Sequence, residues 1–333
     1  MQTALKNILL KLSDADKIHA IEPLQDLWSN YGQLLRIHLS NGSIDSLIIK
    51  QIQLTKADAE LNKHPKGWGS TLSHQRKLQS YQVESQWYKN YAQYCTNDCP
   101  VPTCLHVENS SNDILIILSD LHQQGFPVHK TYAQQTLAKH EINSVLFWLA
   151  HFHACFMQSE HEGLWPIGSY WHLGTRPEEL AALTDTKLKQ AAAQLDESLN
   201  NCPYQSLIHG DAKLANFCFS EDGQQAAAVD FQYVGQGCGM KDVAYFIGSC
   251  VSNEDCFALE KPLLDYYFEI LKAALQQYQP QLDAEAVEQC WRKYYVLAWA
   301  DFQRFIKGWS PQHWKIGSYS EAVTERALKQ LNA

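Results

Sequence analysis

The chain has 333 residues, 45% of them hydrophobic, and a formal net charge of −9 at pH 7. That is enough apolar material for a sizeable core, in one large domain or two. The acidic balance and the lack of basic runs interleaved with aromatics exclude a nucleic-acid footprint, because binding to a phosphate backbone draws its main term from clustered Lys and Arg.

The stretch Met1 to Leu10 is too short in apolar length for a signal peptide and shows no small-residue cleavage site, so a cytoplasmic location is expected. The ten cysteines of the chain are then expected as reduced thiols. Ile21 to Trp28, Gln33 to Leu39 and Ser46 to Ile52 read as strands. Ser29-Asn30-Tyr31-Gly32 links the first two as a tight turn, and Asn41-Gly42-Ser43 is a hairpin signal between the others. Lys50 ends the apolar run Leu47-Ile48-Ile49. His74 to Tyr94 reads as a helix with Leu78, Tyr81, Tyr88, Tyr91 and Cys95 at helical spacing, and Glu84 lies on or beside that stripe. A carboxylate facing a core is costly unless a cation meets it, and Lys50 is the natural partner. The connection 56–73, with His64-Pro65-Lys66-Gly67-Trp68-Gly69, is long and reads as a lid or a substrate contact.

Cys95, Cys99 and Cys104, with His106 nearby, lack a CxxC pair and sit among Pro100 and Pro102, which favours loop cysteines over a zinc site. Ile114 to Leu118 is a buried strand, followed by Ser119-Asp120-Leu121. Tyr132 to Met157 is an amphipathic helix; its apolar run from Val145 is broken by His151 and His153 and falls short of a membrane span. Glu178 to Asn200, Cys256 to Gln277 and Asp283 to Lys307 read as further helices. Helices following an antiparallel sheet indicate an α+β architecture.

Within this helical half, Phe217-Cys218-Phe219 and Ala226-Ala227-Ala228-Val229 flank an Asp222-Gly223 turn signal, which makes a β-hairpin. A turn centred there sets Asn216 opposite Val229, one residue from Asp230, at the end of the ladder far from the turn. Two oxygen ligands converge, and magnesium prefers such hard oxygens together with phosphate and water. Asp211 lies five residues before Asn216, where a carboxylate can accept the proton of an attacking hydroxyl. His209-Gly210-Asp211 or Asp230-Phe231-Gln232 alone is ordinary turn chemistry; the joint spacing carries the reading.

Leu207-Ile208-His209-Gly210-Asp211, Asn216-Phe217, Val229-Asp230-Phe231-Gln232 and Lys241-Asp242-Val243-Ala244-Tyr245-Phe246 resemble the kinase-like small-molecule phosphotransferases. These form the choline kinase and aminoglycoside phosphotransferase superfamily, and within it the chain resembles the ecdysteroid-kinase-like, or CHK-kinase-like, group. The resemblance runs over nearly the whole chain and is looser in the N-terminal part. It implies a protein-kinase-like two-lobed fold. Residues 1–120 would form a nucleotide-binding lobe with a small antiparallel sheet and a helix; residues 121–333 would form a mainly helical lobe with the catalytic hairpin and the acceptor site.

The same resemblance implies ATP and Mg2+ as cofactors. Asp211 would accept or orient the acceptor hydroxyl, Lys213 would offset phosphoryl charge, and Asn216 and Asp230 would hold magnesium. Lys50 with Glu84 would position the α- and β-phosphates. Ser29, Asn30 and Gly32 are phosphate contacts by resemblance only, since no G-x-G-x-x-G lid is present. Ser119 and Leu121 would belong to the hinge whose backbone binds adenine, with Ser119 standing where many relatives carry Glu. Asp242 could cap a helix and is expected to anchor the catalytic loop. Only Gln232 to Lys241 separate Phe231 from Asp242, which leaves no room for an activation segment or an A-P-E signature. The expected partner is therefore a small molecule with a hydroxyl, not a protein side chain, a nucleic acid or a membrane. The C-terminal aromatics Trp291, Tyr294, Tyr295, Trp299, Phe302, Phe305, Trp309 and Trp314, with Asp301 and Arg304, suit either a choline-like aminoalcohol held by cation–π attraction or an apolar alcohol. Competing readings are an inactive nucleotide-binding pseudokinase module and a small-molecule carrier.

Overall fold

A computed structural model of the chain describes residues 3–27, 31–54, 71–131 and 137–332. Two units form, one from Met1–Tyr94 with Val101–Pro127, the other from Cys95–Pro100 with Val128–Ala333. The α+β architecture expected from the sequence is the one observed.

In the first unit, helix α1 (Thr3–Ser13) precedes strands β1 (Lys17–Asp26), β2 (Gly32–Ser40) and β3 (Ser46–Gln53); α2 (Thr71–Gln86) then leads to β4 (Cys104–Asn109) and β5 (Asp113–Ser119). The strands make one antiparallel sheet in the order β1-β2-β3-β5-β4. Leu47 and Ile49 of β3 pack with Ile37, Leu39 and Ile117 against Leu5 and Leu9 of α1. Side chains alternate across a strand, so Lys50 points to the opposite face, where α2 meets it. The helix anticipated over His74 to Tyr94 is not uniform. Its hydrogen bonds widen into a π-helical turn at Trp87–Tyr91, where Trp87 and Tyr91 stack with ring centroids 6.1 Å apart, and then tighten over Ala92–Tyr94.

In the second unit, β6 (Val128–His129), β8 (Phe217–Phe219) and β9 (Ala226–Ala228) form a three-stranded sheet, and β7 (Ser206–Ile208) pairs with β10 (Gly235–Gly237). Around them lie α3 (Lys139–Cys155), α4 (Pro177–Ala182), α5 (Thr186–Asn200), α6 (Met240–Cys250), α7 (Asn253–Tyr278), α8 (Ala284–Trp309) and α9 (Ser318–Leu331). Helix α3 packs on α7, and α8 packs on α4, α5, α6 and α9. Among the described residues no helix is long and apolar enough to cross a membrane.

Several boundaries differ from expectation for identifiable reasons. The single helix read over Glu178 to Asn200 is two, because Asp185 accepts a hydrogen bond from the Leu188 N–H and starts α5 afresh. Cys104 lies in β4 rather than a loop. The helices α1 and α9 were not anticipated. The part of the Tyr132 to Met157 helix before residue 137, and nearly all of the 56–73 connection, lie outside the described residues.

Gly32 opens β2 with φ +155°, and a Cβ on it would stand 1.8 Å from the Gln51 carbonyl oxygen of β3. Only glycine tolerates both the backbone and that approach. Gly32→Ala is therefore expected to lower the unfolding free energy by about 1–3 kcal/mol, read as an earlier midpoint in urea denaturation. An unchanged midpoint would show that β2 and β3 can separate without loss.

Candidate functional site

Strand β7 ends at Ile208 and delivers His209-Gly210-Asp211 into the interior of the second unit. Gly210 has φ +77°, and a Cβ there would meet the Tyr233 carbonyl oxygen at 2.1 Å, so the turn requires glycine. The fully buried carboxylate of Asp242, in the first turn of α6, accepts hydrogen bonds from the His209 N–H (2.6 Å) and the Gly210 N–H (2.9 Å). His153 of α3 donates to it through Nε2 at 3.2 Å and touches the Tyr267 hydroxyl through Nδ1 at 2.8 Å. Asp242 thus anchors the loop, as anticipated; the helix itself begins before it, from Gly239.

His209 ties this loop to the hairpin. Its Nε2 donates to the Val229 carbonyl at 2.9 Å and its Nδ1 accepts from the Asp211 N–H at 3.3 Å, which fixes the tautomer. The hairpin register is the one the Asp222-Gly223 turn dictates: Phe217 pairs with Ala228 and Phe219 with Ala226, and the Val229 N–H donates to the Asn216 carbonyl at 2.9 Å. Gly223 supplies the turn with φ +69°.

Around that frame the four residues singled out in this half come together. The Asp211 carboxylate accepts from Lys213 Nζ at 2.8 Å and from Asn216 Nδ2 at 3.0 Å, and Asn216 Nδ2 also reaches the Asp211 carbonyl at 2.7 Å. The carboxylate of Asp211 first, and that of Asp230 after burial, hold the Lys213 ammonium well above its ordinary pKa. Asp230 stands in a left-handed backbone conformation, φ +68°, and accepts from Gln232 Nε2 at 2.7 Å. Asp tolerates that region better than most residues, yet a non-glycine there remains strained, and such strain clusters at functional positions.

Sequence reasoning missed Tyr170 and Lys315 as members of this neighbourhood, and took Gln232 and Tyr245 only as parts of motifs. Tyr170 donates its backbone N–H to the Gly210 carbonyl at 3.1 Å, and its hydroxyl lies 3.1 Å from that of Tyr245. Burial, and then the charge of Asp211 among other neighbours, push both phenols upward in pKa. Lys315 Nζ sits 4.3 Å from the centroid of Tyr245, 5.3 Å from Phe302 and 5.5 Å from Trp314. Burial lowers its pKa to about 7, with Asp211 opposing the shift and Lys213 adding to it.

The C-terminal aromatics are mostly core: Trp291, Tyr295, Trp299, Phe302 and Phe305 are buried. Asp301 accepts from Trp171 Nε1 at 3.0 Å and from Arg304 Nε and Nη2 at 3.0 and 2.8 Å, so this carboxylate is committed inside the protein.

In the first unit Lys50 Nζ donates to Glu84 Oε2 at 2.6 Å, with both side chains buried. Ser119 commits its N–H to the Thr103 carbonyl at 2.9 Å, and its hydroxyl accepts from the Thr103 N–H and donates to Gln124. Between Ser119 and the buried Leu121, Asp120 is gripped by Arg36 Nε and Ser46 Oγ, each at 2.6 Å, which holds its carboxyl below the usual range against the upward push of burial. Gly32 is placed by backbone packing. Ser29 and Asn30 lie outside the described residues.

The model of the ecdysteroid kinase-like family matches residues 73–164 and 169–279 of the chain. Among solved structures, the choline kinase of Cryptosporidium parvum Iowa II matches with a TM-score of 0.56 at 11% identity, over 99% of this chain and 95% of that one, which shows a shared fold. A putative fructosamine-3-kinase of Haemophilus somnus 129PT matches at 12% identity and a TM-score of 0.45, over 98% of this chain and 96% of that one. An ethanolamine kinase of Plasmodium vivax matches at 10% identity and a TM-score of 0.44, over 97% and 87%. No curated protein matches the sequence.

Removing the Asp242 carboxylate would strand two buried backbone N–H groups and a buried histidine donor. Asp242→Ala is therefore expected to cost about 3 kcal/mol of stability in chemical denaturation. A change within about 0.5 kcal/mol, the range of a neutral surface substitution, would mean that other contacts hold the loop.

Proposed function

The chain belongs to the ecdysteroid kinase-like family, and from that premise we propose an ATP- and magnesium-dependent phosphotransferase that moves the γ-phosphoryl group to a hydroxyl of a small molecule. The observation that carries this reading is the convergence of Asp211, Lys213, Asn216 and Asp230 around one hairpin end, with the Asn216 amide nitrogen already spent on Asp211. That commitment leaves the amide oxygen of Asn216 as its ligand atom for a cation, and the Asp230 carboxylate would supply a second hard oxygen. The pair suits magnesium, which takes one or two such ligands with phosphate oxygens and water. Magnesium held there would neutralise charge on the nucleotide phosphates.

Asp211 is assigned to orient the acceptor hydroxyl and take its proton. Lys213, kept cationic by Asp211 and Asp230, offsets negative charge as it develops on the transferring group. Lys50, held by Glu84, is assigned to the α- and β-phosphates, and the backbone at Ser119 and Leu121 to the adenine edge. A nucleotide-binding module without chemistry is the competing reading. Its support is the lid segment, whose single glycine, Gly32, is accounted for by its approach to Gln51.

Positioning and electrostatics supply most of the catalysis in phosphoryl transfer, so Asp211→Asn is expected to lower turnover by at least ~10²-fold with nucleotide affinity nearly unchanged. Near-normal turnover, followed as ADP release over a panel of alcohols, would rule out this role; no turnover by the parent chain despite nucleotide binding would favour the module. Asp230→Ala should abolish the magnesium dependence of nucleotide binding, checked by titration with and without the metal.

A further inference from the structure

Immediately before Tyr170 the backbone is strained. Ser169 stands at φ +103°, which residues other than glycine rarely adopt, and its buried hydroxyl has no hydrogen-bond partner among the described residues. Strain of this kind persists only where the surroundings hold it, and it clusters at functional positions. Here the hold comes from both sides. The Ser169 N–H donates to the Tyr233 carbonyl at 3.2 Å and the Tyr170 N–H to the Gly210 carbonyl at 3.1 Å, while Arg176 Nε donates to the Tyr170 carbonyl at 2.6 Å. The Arg176 guanidinium also lies 5.7 Å from the centre of the Tyr170 ring. What this turn delivers is the Tyr170 hydroxyl, which donates to that of Tyr245 at 3.1 Å.

A hydroxyl that accepts one proton still has its own to give. The ring of Tyr245, on α6, packs against Trp171 and Phe302 with centroids 4.9 Å from each, which fixes the direction of its hydroxyl. Burial first, and then Tyr170 and Asp211 through charge and hydrogen bonding, push this phenol upward in pKa, so it remains a proton donor. On Asp211 the Lys213 ammonium and the Asn216 amide both fall on Oδ2. Those two donors also serve the nucleotide side of the proposed site, Lys213 through its charge and Asn216 through its amide oxygen. Tyr245 has no such second duty. It stands one helical turn from Asp242, so the helix that fixes the peptide planes before Asp211 also carries a donor to its side chain. Packing alone would be served equally well by phenylalanine at both positions.

We propose that Tyr245 is a positioning residue for Asp211, its hydroxyl donating to the carboxylate while Tyr170 holds that hydroxyl from behind. This rests on the phosphotransfer reading for what Asp211 does, whereas the contact itself can be tested by spectroscopy.

ADP release from ATP and magnesium is followed on the full chain, with water as the only hydroxyl and then with each alcohol of the panel. Tyr245→Phe, which removes the hydroxyl and keeps the ring, is expected to lower kcat about tenfold, the effect of one lost hydrogen bond, with KM for ATP within about twofold. In the Asp211→Asn background the same substitution should change nothing further, because a group that acts through another has no effect once that other is gone. Tyr170→Phe should lower kcat about threefold and add nothing to Tyr245→Phe; it is also the variant that decides where Tyr245→Phe does not fold. Unchanged turnover in the single variants, a loss of equal factor in both backgrounds, or a raised KM for the alcohol at unchanged kcat would each overturn the proposal. With the tyrosines labelled with carbon-13 at Cζ, the Tyr245 signal should move on Asp211→Asn. No turnover by the parent chain with water or any alcohol would remove the phosphotransfer reading, whereas a Tyr245 signal that stays in place on Asp211→Asn would overturn the contact whatever the turnover.

Discussion

A single buried carboxylate sets the geometry of the candidate site. Asp242 has no solvent exposure, and an ionised group in that position costs several kcal/mol unless it is fully hydrogen bonded. Two consecutive backbone N–H groups and the imidazole of His153 meet it, and its place in the first turn of α6 adds the favourable end of the helix dipole. Because the two N–H groups belong to His209 and Gly210, the carboxylate fixes the peptide planes immediately before Asp211. His209 then passes the constraint on, since one ring nitrogen holds the Asp211 N–H and the other holds Val229, the neighbour of Asp230. Loop and hairpin are thus referred to one helix, and the spacing between Asp211 and Asp230 is a consequence of packing.

What this frame produces is a site prepared for charge. Two carboxyl groups face one ammonium, Lys213, and the neighbouring amide spends its donor on Asp211. Charges and dipoles held in place by their surroundings are the kind that act most strongly on a bound group. The first unit applies the same economy of means to Lys50. Strand alternation turns it away from the α1 face of the sheet, and Glu84 on α2 holds the ammonium in place.

The parts legible in the sequence are those where local chemistry decides the outcome. An Asp-Gly turn admits one register, so the position of Asn216 opposite Val229 followed from the turn alone. Glu84 on an apolar stripe demanded a cation, and Lys50 was the nearest one in a strand. The parts that were not legible depend on tertiary contacts. Helix α1 buries little more than Leu5 and Leu9, a pattern too short to stand out, and α9 shows its spacing at Tyr319, Val323 and Ala327 only once the neighbours are known. The break at Asp185 is a capping event inside an otherwise continuous helical pattern. Lys315 sits in a non-periodic stretch beside Trp314, and nothing in its neighbours in sequence foretells three aromatic rings around its amine.

The aromatic C-terminal helix has a second role that its composition conceals. Asp301 and Arg304 of α8 form a buried ion pair and together hold Trp171, the carboxylate through the indole N–H and the guanidinium through the backbone carbonyl. Trp171 adjoins Tyr170, whose N–H fixes the Gly210 carbonyl, and Ser169, whose N–H is held by Tyr233. Breaking a buried pair of this kind leaves an uncompensated charge, so the pair ties α8 to the 169–171 segment. Helix α8 therefore also braces the turn that presents Asp211.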